Sequence, residues 1–106
     1  MPVTLVTAFY PLAKSKRPLS FYEENVAYIC SLDVNLIAFV PASLSDWFRS
    51  KRDMSRTVIV ELEFDTFEMW SVEWRAIWQE TFKLDQECEI HSPELYAIWA
   101  MKQEFV

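Results

Sequence analysis

The 106 residues of this chain include no glycine, although average usage of about 7% would give roughly seven. The Walker A loop and the dinucleotide-binding G-x-G-x-x-G turn both need glycine where the backbone approaches a phosphate. Both classes of nucleotide site are therefore excluded. Any phosphate site in this chain must use side chains, ordinary backbone amides or the N-terminus of a helix.

The chain has enough apolar content for one small folded domain. Hydrophobic residues make up 52% of it, including 5 Trp, 8 Phe and 4 Tyr, whereas a disordered chain is poor in such residues. Its formal net charge is -6. Nucleic acid is therefore not expected as a partner, because phosphate backbones bind basic surfaces.

The cysteines and the N-terminus indicate a cellular location. Cys30 and Cys88 form no C-x-x-C pair, so we predict two buried free thiols in a reducing compartment. The sequence contains neither a signal-peptide pattern nor an apolar run long enough to span a membrane. These observations predict a cytoplasmic protein with no membrane span.

Strand and helix patterns alternate along the chain. Continuous apolar runs predict strands at residues 3–9 and 35–40, and alternating glutamates predict a half-exposed edge strand at residues 57–64. Helix starts are predicted at four capping patterns: Ser20 with Glu23, Ser43 with Asp46, Asp65 with Glu68, and Ser92 before Pro93.

The element order β-α-β-α-β-α-α predicts an α/β fold. We expect a parallel sheet of about three strands in order 3-2-1 with helices on both faces, which is a partial doubly wound, Rossmann-like arrangement. Three strands make a thin sheet for this architecture, and the sequence stops within or just after a helical pattern. Residues 1–106 are therefore predicted to be a single domain that forms the N-terminal part of a larger one.

Two aromatic patterns predict the buried faces of the later helices. Trp70, Trp74 and Trp78 recur at helical spacing, which is typical of a core-facing stripe; stacking on a sugar face is the functional alternative. In the last helix, the residues expected to face inward are Leu95, Ile98, Trp99 and Phe105.

Two stretches of sequence resemble the HtrL/YibB family. They are Leu-Val-Thr-Ala-Phe-Tyr at residues 5–10 and Ile-His-Ser-Pro-Glu-Leu-Tyr-Ala-Ile-Trp at residues 90–99, the latter followed by Lys102 and Phe105-Val106. The second stretch is the more specific, and the two bracket nearly the whole chain. The resemblance implies a GT-A-like nucleotide-diphospho-sugar transferase fold. It also implies sugar transfer from a nucleotide-diphosphate donor to a glycan acceptor in surface glycan synthesis.

The chain departs from that family in one respect. Family members continue into a strand with an Asp-x-Asp metal motif, and this sequence contains no Asp-x-Asp pair. The resemblance therefore implies a fragment or a degenerate reading frame that is inactive by itself. A divalent metal, Mn²⁺ or Mg²⁺, is expected only for the complete domain, and no cofactor is expected in this chain.

Candidate ligand contacts follow the first predicted strand. Ligands of open α/β sheets bind outside the carboxyl ends of the strands, where Thr7, Phe9 and Tyr10 fall. If the family resemblance holds, Tyr10 is expected to stack on the nucleotide base and Thr7 to hydrogen-bond it. The alternative is that Phe9 and Tyr10 cover the end of the sheet.

A second group of candidates surrounds the only histidine. His91 precedes a capped helix, and imidazole exchanges protons near neutral pH; a structural histidine is the alternative. The other candidates for weak substrate or nucleotide contacts are Ser92, Glu94, Tyr96 and Lys102. Lys102 matches the family pattern and could neutralise a diphosphate, or it could be a solvated lysine. The predicted loop containing Lys14, Lys16 and Arg17 either guides an anionic donor or is simply solvated.

A function of a different class stays open. An unpaired edge of the sheet, or exposed apolar surface, would make this chain a non-catalytic interaction module that associates with itself or with another protein.

Overall fold

Residues 3–106, which a computed structural model describes, are organised around a parallel three-stranded sheet. The strands are β1 (Thr4–Ala8), β2 (Asn35–Val40) and β3 (Thr57–Glu61), and they lie in the order β1-β2-β3. The α-helices in these residues are α1 (Leu19–Cys30), α2 (Ser45–Lys51), α3 (Val72–Leu84) and α4 (Pro93–Phe105). The predicted α/β class, the parallel sheet and the position of β3 at its edge are confirmed.

The central strand β2 is covered on both faces, which explains its continuous apolar sequence. Leu36, Ala38 and Val40 are buried in a core that α1 and α2 complete. Phe39 points to the opposite face and packs with residues of α4 in a second core. The prediction of residues 35–40 as a strand is therefore correct at both ends.

The second face of the sheet is covered over part of its length only. Val6, Ile37 and Val58 occupy one row across the three strands. Val6 is 37% exposed and Val58 is 56% exposed. This apolar row lies beside, rather than beneath, the part of the sheet that α4 covers.

Two predicted helix starts are wrong. Neither Ser20 nor Ser43 caps a helix. Pro18 and Pro41 hold the backbone extended, and their carbonyl oxygens accept the first helical hydrogen bonds, from Phe21 and Leu44 at 3.0 Å each. Each proline is therefore the N-cap itself: α1 begins directly after Pro18, and a 3₁₀ turn, Ala42–Leu44, begins directly after Pro41.

The region after β3 also differs from the prediction. The strand ends at Glu61 rather than at residue 64, and two short 3₁₀ turns, Phe64–Thr66 and Glu68–Trp70, follow it. The predicted cap at Asp65 is therefore wrong, since α3 is capped by Ser71, which accepts from the Trp74 amide at 3.4 Å. The Ser92 cap is confirmed: its hydroxyl accepts from the Leu95 amide at 3.3 Å.

The predicted buried faces are correct only in part. Trp70 lies in a 3₁₀ turn, and α3 has no fully buried residue, although Trp74 and Trp78 stack at 5.2 Å. On α4 the buried residues are Tyr96, Ala97, Met101 and Phe105, while Trp99 is 46% exposed. Helix α4 packs against Phe39 and Phe67 at once, and this rotates its buried stripe away from Trp99.

Phe105 is the centre of the second core. Its ring centroid lies 4.8 Å from that of Phe39, 5.8 Å from that of Phe67 and 6.2 Å from that of Tyr10. One side chain of α4 therefore contacts strand β2, the end of β1 and the 3₁₀ turns. Helix α4 is fixed to the sheet mainly through this cluster.

Arg52 closes the opposite, amino end of the sheet. Its guanidinium donates to the carbonyl oxygens of Cys30, Leu32 and Val34 over 2.5–3.0 Å and to the Thr57 hydroxyl at 3.0 Å. These carbonyls belong to the end of α1 and the connection into β2. A single side chain thus binds three backbone acceptors, of which the Leu32 oxygen also accepts the Val34 amide at 2.9 Å.

Two expectations of the sequence concern the thiols and membrane-spanning segments. Cys30 is buried, as predicted, but Cys88 is exposed, because it lies in the polar connection between α3 and α4. Both thiols are free. No helix within residues 3–106 combines the length and apolar character needed to cross a membrane.

Candidate functional site

A cavity of about 630 Å³ lies at the carboxyl end of β1. One wall is the connection from β1 to α1, and the other is formed by His91 and the first two turns of α4. Lining residues come from 8–19, Tyr22, Ile90, His91, Leu95, Ile98 and Trp99. The cavity occupies the place where parallel α/β sheets bind their ligands.

Lys14 fixes the connection that forms the first wall. Its ammonium group donates to the carbonyl oxygen of Cys88 and lies 4.7 Å from the centroid of the Phe82 ring. The Ser15 hydroxyl donates to the Arg17 carbonyl at 2.7 Å and tightens the same segment. The wall is thus held against the end of α3 and the α3–α4 connection.

The charge of the lining is the opposite of the charge of the chain. Lys14, Lys16 and Arg17 line the cavity, and no Asp or Glu side chain does so among the described residues. The whole chain has 16 acidic against 10 basic residues. Lys16 and Arg17 are the exposed basic residues of the lining, and we call their position the mouth of the cavity. The Arg17 guanidinium lies 5.2 Å from the centroid of the Phe21 ring. The arrangement favours an anionic ligand.

His91 is held by a carboxylate from the α3–α4 connection. Its Nδ1 lies 2.8 Å from Oδ2 of Asp85, and the Tyr96 hydroxyl donates to that same oxygen. The other oxygen of Asp85 accepts the backbone amide of Glu87 at 2.8 Å. Both the His91 and the Asp85 side chains are largely buried, with 18% and 17% of their surface exposed.

These hydrogen bonds favour an ionised Asp85. The Tyr96 hydroxyl, the Glu87 amide and the His91 ring together lower the pKa of Asp85 to about 2. Burial, followed by the bond to Asp85, raises the pKa of Tyr96 to about 12. At neutral pH, Asp85 is therefore a carboxylate that accepts hydrogen bonds, and Tyr96 is a neutral phenol that donates one.

The structure brings three of the predicted ligand contacts to the cavity: Phe9, Tyr10 and His91. The others lie outside its lining. Thr7 is half-buried on β1, Ser92 caps α4, Glu94 is in the first turn of α4, Tyr96 is buried against Asp85, and Lys102 is exposed near the end of α4.

Tyr10 has a structural task as well as a place in the lining. Its hydroxyl donates to the Leu62 carbonyl at 2.7 Å, and its ring contacts Phe67 and Phe105. Burial, followed by the charge of Glu63, raises the pKa of Tyr10 to about 12. Stacking on a base stays a prediction, and it would have to use the part of the ring that faces the cavity.

Sequence reasoning missed Asp85 and Trp99 as parts of the site. Residues 84–90 had the pattern of a polar, acidic connection, and nothing in that pattern distinguishes Asp85 from Glu87 or Glu89. Trp99 was assigned to the core, but it lines the cavity and packs edge-on against His91 at 5.2 Å.

The residues present do not fit the metal platform that the family resemblance implies for a complete domain. Acidic residues spaced two apart occur at Glu61, Glu63 and Asp65 and again at Asp85, Glu87 and Glu89. Glu63 accepts the backbone amide of Ala42 at 2.8 Å, and Asp85 accepts that of Glu87 at 2.8 Å. Within residues 3–106, no three His, Cys, Asp or Glu side chains come together as a metal site.

Fold and cavity together define a parallel α/β protein with a cavity, lined by three basic residues, at the carboxyl end of β1. No family model, curated protein or solved structure matches the chain.

Proposed function

We propose that this protein binds a nucleotide-diphosphate sugar at the carboxyl edge of its sheet. It would be the nucleotide-binding half of a GT-A-like, doubly wound domain that transfers the sugar to a glycan. The single observation that carries the binding proposal is the cavity lined by Lys14, Lys16 and Arg17 with no carboxylate in its described lining. The sugar and the glycan enter through the resemblance of residues 5–10 and 90–99 to the HtrL/YibB family.

The size and chemistry of the cavity support this proposal. About 630 Å³ falls within the roughly 300–1,000 Å³ of typical small-molecule sites. Phe9, Tyr22 and Trp99 supply aromatic surface in the lining, which suits a base or the apolar face of a sugar. The cations at the mouth suit a diphosphate, since a lysine or arginine can neutralise it without glycine-rich backbone.

The proposal also covers the cellular compartment of this chain and the part of the reaction that it performs. An exposed free thiol at Cys88 fits a reducing compartment such as the cytoplasm. Because no Asp-x-Asp pair occurs in the sequence, we expect donor binding without metal-dependent transfer. Manganese is therefore expected to leave the affinity for the donor unchanged.

Reversing two charges at the mouth of the cavity is expected to weaken donor binding. For the double variant Lys16→Glu and Arg17→Glu, we expect at least about a tenfold loss of affinity for UDP-glucose, because two attractive contacts with the diphosphate become repulsive. Isothermal titration calorimetry, with manganese and with EDTA, measures the effect.

A matched double variant tests whether the effect is local. Arg49→Glu with Lys51→Glu makes the same change in net charge on α2, outside the cavity lining, and is expected to change affinity little in 0.15 M salt. An equal loss in both variants would contradict a site at the cavity. Failure of the unaltered protein to bind any nucleotide sugar tested would overturn the proposed function.

A second candidate function is association through the edge of the sheet. Within residues 3–106, β1 pairs only with β2. Its sequence, Thr-Leu-Val-Thr-Ala, has no charge and no proline, the two features that commonly protect an edge strand. Val6 is exposed on this strand and continues the apolar row towards Val58.

Placing a lysine on that edge is expected to prevent self-association. We expect the unaltered protein to dimerise at micromolar concentrations and Val6→Lys to be a monomer, because a charge on an edge strand opposes strand pairing. Size-exclusion chromatography with light scattering measures the mass. Val58→Lys, on the same face but on the other edge strand, is the control. It should leave a dimer through β1 intact, and a monomer in both variants would indicate association through the face of the sheet instead.

A further inference from the structure

The two ring nitrogens of His91 have different surroundings. Nδ1 is 2.8 Å from the Asp85 carboxylate, whereas Nε2 is 3.7 Å from the nearest carboxylate oxygen, on the exposed side chain of Glu87. That second distance is too long for a hydrogen bond. Within residues 3–106, Nε2 therefore has no hydrogen-bond partner, and His91 is one of the residues that line the cavity.

Asp85 determines which nitrogen carries the proton. A neutral imidazole has one nitrogen that donates and one that accepts, and a carboxylate can only accept. Asp85 also accepts from the Tyr96 hydroxyl and the Glu87 amide, and these two bonds fix the position of its carboxylate independently of His91. The proton of a neutral His91 consequently lies on Nδ1, and Nε2 has the free lone pair.

The ring cannot easily turn over to exchange its nitrogens. It packs edge-on against Trp99, with centroids 5.2 Å apart at 81°, and against Tyr96 at 6.4 Å and 73°. Only 18% of the side chain is exposed. Packing thus hinders rotation of the ring, and the hydrogen bond to Asp85 selects which nitrogen faces that carboxylate.

With the proton on Nδ1, Nε2 accepts hydrogen bonds and cannot donate them, which no other lining side chain among the described residues does. Lys14, Lys16, Arg17 and Trp99 can only donate, and the Ser15 and tyrosine hydroxyls can do either. Among the lining side chains that the structure describes, Nε2 of His91 is the atom that only accepts. A ligand of this cavity needs an anionic group for the cations and a donor for Nε2.

We propose that His91 is a specificity-determining residue that accepts a hydrogen bond from a hydroxyl of the sugar in a nucleotide-diphosphate sugar. Asp85 is its positioning residue. This inference rests on the proposed function and adds the part of the ligand that the histidine recognises. A cation-lined cavity alone would bind any diphosphate, whereas Nε2 distinguishes a diphosphate that carries a sugar from one that does not.

The tautomer is measurable without any ligand, because His91 is the only histidine. Long-range ¹H–¹⁵N spectra at pH 8 are expected to show one imidazole signal set with the proton on Nδ1. Asp85→Asn is expected to lose this fixed tautomer, and Glu87→Gln, the matched change next to Nε2, is expected to keep it. A proton on Nε2 in the unaltered protein would overturn the proposal.

Binding tests the ligand contact with three probes: UDP-glucose, UDP and inorganic pyrophosphate. His91→Phe keeps a planar ring against Trp99 and is expected to weaken UDP-glucose binding by about three- to tenfold, the value of one hydrogen bond. Binding of UDP and of pyrophosphate should stay the same. His91→Gln, which has an acceptor oxygen, is expected to restore part of the affinity.

The outcomes separate this proposal from the proposed function. Equal losses for all three probes would assign His91 a structural role and overturn the inference, while leaving nucleotide binding in place. Unchanged UDP-glucose affinity in His91→Phe would also overturn it. If none of the probes binds the unaltered protein, the proposed function fails and the ligand assigned to His91 fails with it. In that case the proton on Nδ1 would be a purely structural feature.

Discussion

Replacing Phe105 with alanine is expected to lower the free energy of unfolding by about 3–5 kcal/mol, as for other buried phenylalanines. The side chain is 7% exposed and contacts Tyr10, Phe39 and Phe67. Its removal leaves a hole between α4 and the sheet that these rings cannot fill without moving. Chemical denaturation followed by circular dichroism measures the change.

Gln103→Ala is the control for Phe105. It changes an exposed residue in the same turn of α4 and is expected to alter stability by less than about 0.5 kcal/mol. Because α4 also forms a wall of the cavity, Phe105→Ala should weaken UDP-glucose binding as well. Unaltered stability of Phe105→Ala would contradict the position of α4 on the sheet.

Replacing Arg52 with methionine is expected to lower the free energy of unfolding by about 2–4 kcal/mol. Methionine retains much of the aliphatic length but cannot donate, so the carbonyls of Cys30, Leu32 and Val34 lose their charged partner. The Leu32 oxygen keeps a bond from the Val34 amide at 2.9 Å, but an acceptor left unsatisfied at a partly buried site costs about 1–3 kcal/mol before water compensates. Arg52→Lys should recover only part of the loss, because an ammonium group cannot reproduce the planar fork.

Arg49→Met is the matched control, three residues earlier on α2. Arg49 pairs with Asp46 at 3.0 Å, but Asp46 is almost fully exposed, and exposed pairs contribute at most about 1 kcal/mol. Similar melting curves for the Arg49 and Arg52 variants would show that the four hydrogen bonds of Arg52 contribute no more than an exposed ion pair.

The parts of the fold that the sequence predicts are those determined by local patterns. Residues 35–40 are apolar without interruption, and they form the central strand with the predicted bounds. Ser92 followed by Pro93 correctly marks the start of α4. In contrast, Ser20 and Ser43 had equally good capping patterns, but Pro18 is the N-cap of α1, and a 3₁₀ turn that begins after Pro41 precedes α2.

The site is less predictable because its residues meet only through tertiary packing. The strand-end residues Phe9 and Tyr10 follow from the general rule for parallel sheets. Asp85 does not, since its role depends on the angle between α3 and α4, which brings its carboxylate to His91 and Tyr96. The buried face of α4 was not predictable for the same reason. Apolar residues at helical spacing show how buried residues recur along a helix, but not which neighbouring element they face.

The lack of glycine has an experimental consequence. Within residues 3–106, no residue has a positive φ, and the sequence contains no glycine at all. Alanine can therefore replace the non-proline residues of this part without forcing a left-handed backbone, the usual source of misleading losses at turns. A systematic alanine scan of this chain would report side-chain contributions almost free of backbone strain, in its loops as well as in its helices and strands.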